Sequence, residues 1–470
     1  MKSGLLLLFF TTLCTISFGQ YQIGHTTITF NDPSRTGGFG SGGGPGRQIQ
    51  TEIYYPALVA GEDVALAPLT HPLIVFGHGF AMTWEAYQNI WEKYAPMGYI
   101  VAFPRTESGL FPGPSHSDFA LDLALVETKI QALNLSFGSI FYTGVKSNSA
   151  IIGHSMGGGA TILAGDNTSI TLRTIVGLAP AETSPSAIAD AANVTIPALI
   201  FSGVQDGVTP PIDHHIPIYN ALGSDCKTLV SITGGAHCYF ANTNFNCDFG
   251  ESTSSTGISI SRSEQQNTTY SLLTPWLDFY LMENCDAFNA FEDSLNSVGG
   301  ITSQRTCSYL PLTVSASLTH INTGGDGAID ITISDGSGAI TFLWSNFNPT
   351  EDQINLNEGL YGLIVSDDYC TVTNEYLILG PAALDEEQNL QAAVYPNPGH
   401  STLNINLSDA ATETVYLELH DALGRIILSD SIQQGTQTHQ LNLTECSSGI
   451  YFLVLKNKSG ESQTLKIQIQ

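Results

Sequence analysis

The sequence predicts an α/β fold, a mostly parallel sheet with helices on both faces, followed by two small all-β sandwich-like domains. Three observations carry this. From about Gln50 to Phe279, short β-rich apolar runs alternate with stretches of helical spacing, the pattern of a parallel sheet whose crossovers are helices. Beyond about Leu310 the helical spacing stops, and short strands separated by Gly/Asp turns take over, the signature of small β-sandwiches. At 470 residues the chain is also too long for one ordinary core and long enough for two or three domains.

In chain order, MKSGLLLLFFTTLCTISFGQ supplies a basic Lys2, an apolar stretch from Leu5 to Phe10 extending toward Phe18, and small residues at Ser17 and Gly19. That predicts a secretory signal, residues 1–20, cleaved near Gly19 or Gln20. A membrane anchor needs about 20 apolar residues, and this stretch is shorter and interrupted by Thr11, Thr12 and Thr15. No later segment is long enough to span a bilayer, so no transmembrane segment is expected in the mature chain. Cleavage removes Cys14 and leaves Cys226, Cys238, Cys247, Cys285, Cys307, Cys370 and Cys446. An odd set leaves at least one thiol outside intrachain pairing. Outside the cytoplasm disulfides persist, and proximity in sequence favours Cys238 with Cys247 and Cys285 with Cys307.

The glycine-rich GGFGSGGGPGR that ends at Arg47 lacks the Gly-Lys-Ser/Thr of a phosphate loop and reads as a surface loop. IQTEIYY, PLIVFGH, YIVAFPR, SAIIGH, TIVGLAP, PALIFSG and TLVSITG read as strands, being β-branched and aromatic runs closed by Gly or Pro. WEAYQNIWEKYA, SDFALDLALVETKIQAL, IDHHIPIYNAL and TTYSLLTPWLDFYLM show helical spacing. Reactive groups in such a sheet belong just beyond the carboxyl ends of its strands. Later, LTVSASLTHINTGGDGAIDITISDGSGAITFLWSN and GLYGLIVSDDYCTVTNEYLIL read as one β module. The polar linker GPAALDEEQNLQ leads to a second, with strands VYLELHD, RIILSDS, THQLNL and IYFLVLKN. Neither module carries a nucleophile and base in a pocket motif.

Charge narrows the function. With 43 acidic against 15 basic residues and a net charge of −28, the chain repels nucleic-acid phosphates and anionic lipid surfaces, so no nucleic-acid partner is expected. The informative stretch is SAIIGHSMGGGAT, Ser149 to Thr161. An apolar strand runs into Gly153-His154-Ser155-Met156-Gly157 and a helical pattern follows, which is the context a nucleophile elbow requires. A serine hydroxyl attacks poorly until a base takes its proton, and the base needs an orienting carboxylate. Asp206 follows the strand PALIFSG, and His237 follows TLVSITG on a Gly-Gly loop. Ser155, Asp206 and His237 thus occur in the order, and at the strand ends, that the α/β-hydrolase fold demands. Read separately, Asp206 could be a turn former before Gly207 and His237 a loop histidine.

Acyl transfer also needs donors for an oxyanion. The N–H of Met156 heads the helix after the nucleophile, and the N–H of Phe80, in the His78-Gly79-Phe80 turn after PLIVFGH, is the second candidate. His154 reads as a packing or supporting residue. His214 and His215 are adjacent in a helical stretch and face about 100° apart, which disfavours a two-histidine metal site. No metal and no organic cofactor is called for.

About 260 residues, from the DPSR region near Asp32 to about Cys285, resemble secreted α/β-hydrolases of the cutinase-like and dienelactone-hydrolase-like group. The nearest likeness is to bacterial polyester hydrolases, through HGF at 78–80, GHSMGGG at 153–159, DGVTPP at 206–211 and GGAH at 234–237. The resemblance implies Ser155 as nucleophile, Asp206 and His237 as triad acid and base, Phe80 and Met156 as oxyanion donors, and an open groove without a long lid. Enzymes of this group that handle aromatic chains typically carry a tryptophan in a Pro-Trp-Asp context where this chain reads Pro180-Ala181-Glu182. Phe80, Met156, Trp84 and Ala181 are therefore the expected substrate-contacting residues, with Ala181 where a stacking tryptophan would sit and Trp84 the residue that could compensate. VYPNP at 394–398, with DALGR and SSGIYFLVLKNKSG further on, is similar to the type A sorting domain of the type IX secretion system. Residues of about 312–380 resemble an SprB-type repeat of extracellular surface proteins.

The expected layout is a signal peptide at 1–20, an α/β-hydrolase catalytic domain at 21–309, an SprB-like β-sandwich at 310–381, a linker at 382–392 and a sorting domain at 393–470. The expected function is a secreted serine carboxylic-ester hydrolase, of esterase, lipase or cutinase type and potentially polyester-degrading, released or held at the cell surface after export by the type IX machinery. Its substrate would be a small-molecule or polymeric ester. The alternatives are an amidase or peptidase on the same triad, or a non-catalytic surface-binding protein.

Overall fold

The computed structural model describes residues 21–111, 113–166, 172–322, 324–380, 390–421, 424–444, 446–458 and 462–469. The expected signal peptide and most of the expected linker lie outside the described residues. Contacts divide the chain into two compact units: residues up to Val314 with Ile333–Phe342 and Ile364–Thr373, and Ser315–Thr332 with Leu343–Leu363 and Asn374–Gln470.

The first unit begins with β1 (Gln22–Asp32), β2 (Gly38–Phe39), β3 (Arg47–Ala57), β4 (Gly61–Glu62), β5 (His71–Gly77), α1 (Gln88–Tyr94) and β6 (Ile100–Pro104). It continues through α2 (His116–Leu133), β7 (Val145–His154), α3 (Met156–Gly165), β8 (Thr174–Leu178), α4 (Ala187–Asp190) and β9 (Ala198–Gly203). Then come α5 (His215–Ala221), β10 (Cys226–Ile232), α6 (Phe245–Ser254), α7 (Arg262–Tyr280), α8 (Asp286–Ser297) and β11 (Ile301–Cys307). The sheet runs β11-β10-β9-β8-β7-β5-β6-β3-β1-β4, with β2 beside β3. From β6 to β10 every pairing is parallel, whereas β1, β3 and β11 join antiparallel. This is the architecture of an α/β-hydrolase domain.

Strands β5, β6, β8 and β9 are buried along their whole length. Helices cover both faces, so a continuous apolar run is what such positions require. Those are the strands that the sequence announces. β1 escapes it, because HTTITF is polar-rich and only partly buried, yet it pairs with β3 over eleven residues, from Gln22 opposite Ala57 to Asp32 opposite Arg47. α6, α8 and β11 are likewise unannounced.

Two of the three disulfides differ from the expectation. Cys238 bonds Cys247, as proximity suggests, but Cys307 bonds Cys226, and Cys285 bonds Cys370. The reason is tertiary: the antiparallel register of β10 and β11 sets Cys226 directly opposite Cys307, which removes Cys307 from the reach of Cys285. Cys370 comes to Cys285 within an aromatic cluster in which Tyr369 packs against Phe279, Tyr280 and Tyr309. Within the stretch expected to form a module at 310–381, Ile333–Phe342 and Ile364–Thr373 group with the first unit. The strands of that stretch form two three-stranded sheets, Thr313–Thr319, Gly327–Ser334 and Gln353–Leu356, and Thr341–Trp344, Gly359–Ser366 and Thr371–Ile378.

The C-terminal strands make an antiparallel three-stranded sheet and an antiparallel four-stranded sheet. Leu403, Ile405, Leu417, Leu419, Leu453 and Leu455 fill their core. Alternation of buried with half-buried or exposed residues along Thr402–Leu407 and Val415–Leu419 is the period-two pattern of strands with one face inward.

Candidate active site

β7 ends at His154 and α3 begins at Met156, so Ser155 occupies the single residue of the turn, with φ 56° and ψ −119°. A side-chain-bearing residue held there is strained by about 1–3 kcal/mol and persists only where its surroundings over-determine it. They do. The Ser155 N–H donates to Leu178 O at 3.0 Å, while its carbonyl accepts from Ala181 N at 2.9 Å and Gly159 N at 3.0 Å. The glycines are needed for contact between backbones: a Cβ at Gly153 would lie 2.1 Å from Gly157 O, and one at Gly157 would lie 2.2 Å from Gly77 O. β5, the elbow and α3 therefore touch with no side chain between them.

Asp206 follows β9 and His237 follows β10. His237 Nδ1 lies 2.7 Å from Asp206 Oδ2, with both residues buried. A carboxylate only accepts, so Nδ1 carries a proton in this bond, and in the neutral form of the ring Nε2 is the nitrogen with the lone pair. The other Asp206 oxygen accepts the N–H groups of Val208 (2.9 Å) and Thr209 (2.8 Å). Burial by itself would raise the Asp206 carboxyl, but the charge and hydrogen bond of His237 hold it below its ordinary range. Among the described residues no hydrogen bond links Ser155 Oγ to His237.

Behind this pair stands a set of polar residues that the sequence reading did not single out as a site. Thr209 Oγ1 is 2.9 Å from Asp206 Oδ2, 2.9 Å from His237 Nδ1 and 3.0 Å from His215 Nε2. His215 Nδ1 is 2.8 Å from Ser202 Oγ. Burial pulls the His215 pKa down to about 3, so its ring is neutral: Nε2–H donates to Thr209, Thr209 donates to Asp206, and Ser202 donates to Nδ1. His214 instead turns outward, and its Nδ1 accepts from Glu182 N at 2.8 Å.

His154 supports the loops on the other side. Its Nε2 is 3.0 Å from the His237 carbonyl and its Nδ1 is 2.9 Å from Tyr87 Oη. Burial, and then the charge of His237, holds its pKa well below the ordinary histidine range. The neutral ring must donate through Nε2 to the carbonyl, so Tyr87 donates to Nδ1 while accepting from Gly79 N at 2.8 Å. One chain of hydrogen bonds thus runs from the loop bearing Phe80, past the elbow, to the backbone of His237. The same loop is held by His78 Nε2, 2.8 Å from Thr106 O, and Thr106 Oγ1 donates to the buried Asp122 at 2.6 Å. Asp122 in turn accepts from Arg35 at 2.7 Å and Arg47 at 2.8 Å. Met156 N heads α3, and Phe80, on the neighbouring loop, is exposed.

Residues 13–270 match the family described as PET hydrolase-like, more than half of the chain. This chain belongs to the PET hydrolase-like family. Among curated relatives it is 26% identical over 228 residues to Cutinase est1 of Thermobifida alba, covering 47% of this chain and 67% of that protein. It is also 26% identical over 216 residues to Cutinase 1 of Thermobifida cellulosilytica, covering 46% of this chain and 72% of that one. Residues 393–470 match the secretion system C-terminal sorting domain; the two matched segments do not extend over 310–381, the region expected to be SprB-like. The PET hydrolase-like chain is thus a secreted ester hydrolase by family, bound for the extracellular space or cell surface through the type IX sorting domain. No helix among its described residues is long and apolar enough to cross a membrane.

The expected substrate-contacting residues of this PET hydrolase-like chain fall in different settings. Ala181 adjoins the elbow through its bond to the Ser155 carbonyl. Trp84 lies under the guanidinium of Arg105, 4.1 Å from the ring centre, and the same guanidinium lies over Phe39 at 4.8 Å.

Proposed function

We propose that the chain is a serine carboxylic-ester hydrolase in which Ser155, His237 and Asp206 act as a triad. The observation that carries this reading is the buried 2.7 Å pairing of His237 Nδ1 with Asp206, together with a serine held at φ 56° between a strand and a helix. Ser155 Oγ attacks the ester carbonyl as its proton passes to His237 Nε2, and the ionised Asp206 stabilises the imidazolium that forms. The tetrahedral oxyanion is met by the N–H groups of Met156 and Phe80; the first stands at a helix N-terminus, where the backbone leaves donors unpaired. His237 then protonates the departing alcohol, and water repeats the cycle on the acyl-enzyme. With the small Ala181 beside the elbow and exposed Phe80 on the facing loop, the site suits aliphatic esters and aliphatic polyesters better than aromatic ones. The test is turnover of a short-chain p-nitrophenyl ester: Ser155→Ala should lower kcat by about 10⁶ and Asp206→Asn by about 10⁴, through the wrong histidine tautomer. Near-wild-type turnover in either variant would refute the assignment.

A further inference from the structure

Helix α6 is ten residues long and its one buried residue is Glu251. A surface helix ordinarily earns its place by burying an apolar stripe; this one turns Phe245 and Phe249 to solvent and buries a carboxylate. Its contacts account for it. Near its start, Asn246 Nδ2 donates to Ala81 O at 2.8 Å, next to Phe80. In its middle, Glu251 Oε1 accepts the His237 N–H at 2.5 Å and Oε2 accepts the Cys238 N–H at 3.1 Å, while Cys247 is bonded to Cys238. Just past its end, Ser255 Oγ accepts the Gly207 N–H at 2.8 Å and donates to Glu251 Oε1 at 3.4 Å. Gly207 follows Asp206 directly, and a Cβ there would lie 2.1 Å from Ser254 O. Hydrogen bonds thus run from the backbone beside the acid, through Ser255 and Glu251, to the backbone of the base. Cys238, Asp248 and Glu251 lie close enough to share an ion, but the sulfur is spent in the disulfide and Asp248 accepts from Arg262 at 2.6 Å.

We propose that α6 is a clamp on the three loops that carry Phe80, Asp206 and His237, with Glu251 as its positioning residue, fixing the His237 backbone so that the imidazole keeps its bond to Asp206. The proposal rests on the serine-hydrolase reading above. Burial raises the Glu251 carboxyl, against the two backbone bonds that favour its charged form. Those bonds are charge-assisted and about twice as strong as neutral ones, which suits a group that must hold a loop still.

The experiment compares the full chain with Glu251→Gln, which keeps the side chain's size but turns an amide NH₂ toward one of the two N–H groups. Turnover of p-nitrophenyl butyrate is normalised to active sites counted with a fluorophosphonate. We expect kcat per labelled site to fall by about 10²-fold, the cost of a misplacement of roughly 1 Å, with KM little changed. In an Asp206→Asn background the same substitution should change kcat little, because the bond it protects is already lost. Ser255→Ala, a milder change, should lower kcat in the same direction and covers the case in which Glu251→Gln does not fold. Wild-type kcat per labelled site in Glu251→Gln or in Ser255→Ala, or an undiminished loss in the Asp206→Asn background, overturns the clamp. A wild-type chain that neither turns over the ester nor takes the label overturns the serine-hydrolase reading, and the clamp with it.

Discussion

Buried His215 should make the fold acid-sensitive by an amount that its surroundings fix. The ring is fully buried, donates to Thr209 and accepts from Ser202, and a second ring proton would aim a donor at a hydroxyl already donating. Burial lowers its pKa from 6.5 to about 3, with Asp206 opposing and His237 and His214 adding to the shift. In the unfolded chain the ring takes a proton as pH falls below about 6.5, and in the folded chain not until about 3. Between those values the unfolded state binds more protons, so stability is present above pH 6.5 and is lost as pH falls, by about 1.36 kcal/mol per unit. From pH 7 to pH 5 that amounts to about 2 kcal/mol. His78 and His154 are shifted downward as well, so the wild-type loss exceeds this figure, and the share of His215 is isolated by comparison with His215→Gln. Urea unfolding at the two pH values, followed by tryptophan fluorescence, measures it, since Trp84, Trp91 and Trp276 all lie in the first unit. Wild type should lose about 2 kcal/mol more than the variant, and any cost of the substitution at pH 7 cancels in the comparison. An identical loss in both chains would mean that His215 is already charged, or not buried, at neutral pH.

Two further outcomes are expected. A chain ended at residue 310 loses Cys370 and Tyr369, and with them the bridge to Cys285; it should melt below a chain ended at residue 380, because loss of a native disulfide typically costs about 2–5 kcal/mol. Equal melting temperatures would show the segment to be dispensable. On matched films, wild type should release product faster from an aliphatic than from an aromatic polyester, and Ala181→Trp should narrow the gap, since an aromatic contact adds about 0.5–1.5 kcal/mol. Equal attack on both films by wild type would show that another side chain, Trp84 first, already supplies the wall.

The sequence by itself determined the parallel centre of the sheet. Strands β5, β6, β8 and β9 are apolar because both their faces are covered, and burial on both faces is written into each strand's own composition. It determined the elbow too, since no side chain fits where Gly153 and Gly157 meet neighbouring backbone, and it ordered Ser155, Asp206 and His237 after β7, β9 and β10. The tertiary structure decided what depends on two distant segments meeting. Polar β1 is a strand because β3 pairs with it; Cys226 bonds Cys307 because β10 and β11 run antiparallel in that register; and residues to which the sequence assigns no part in the site, Thr209, His215, Tyr87 and Glu251, become the partners of buried groups. Local periodicity records how deeply a residue is buried, whereas a hydrogen bond between residues 14 to 83 positions apart, as between His237 and Glu251 or His154, follows from the order in which the strands assemble and leaves no local mark on the chain.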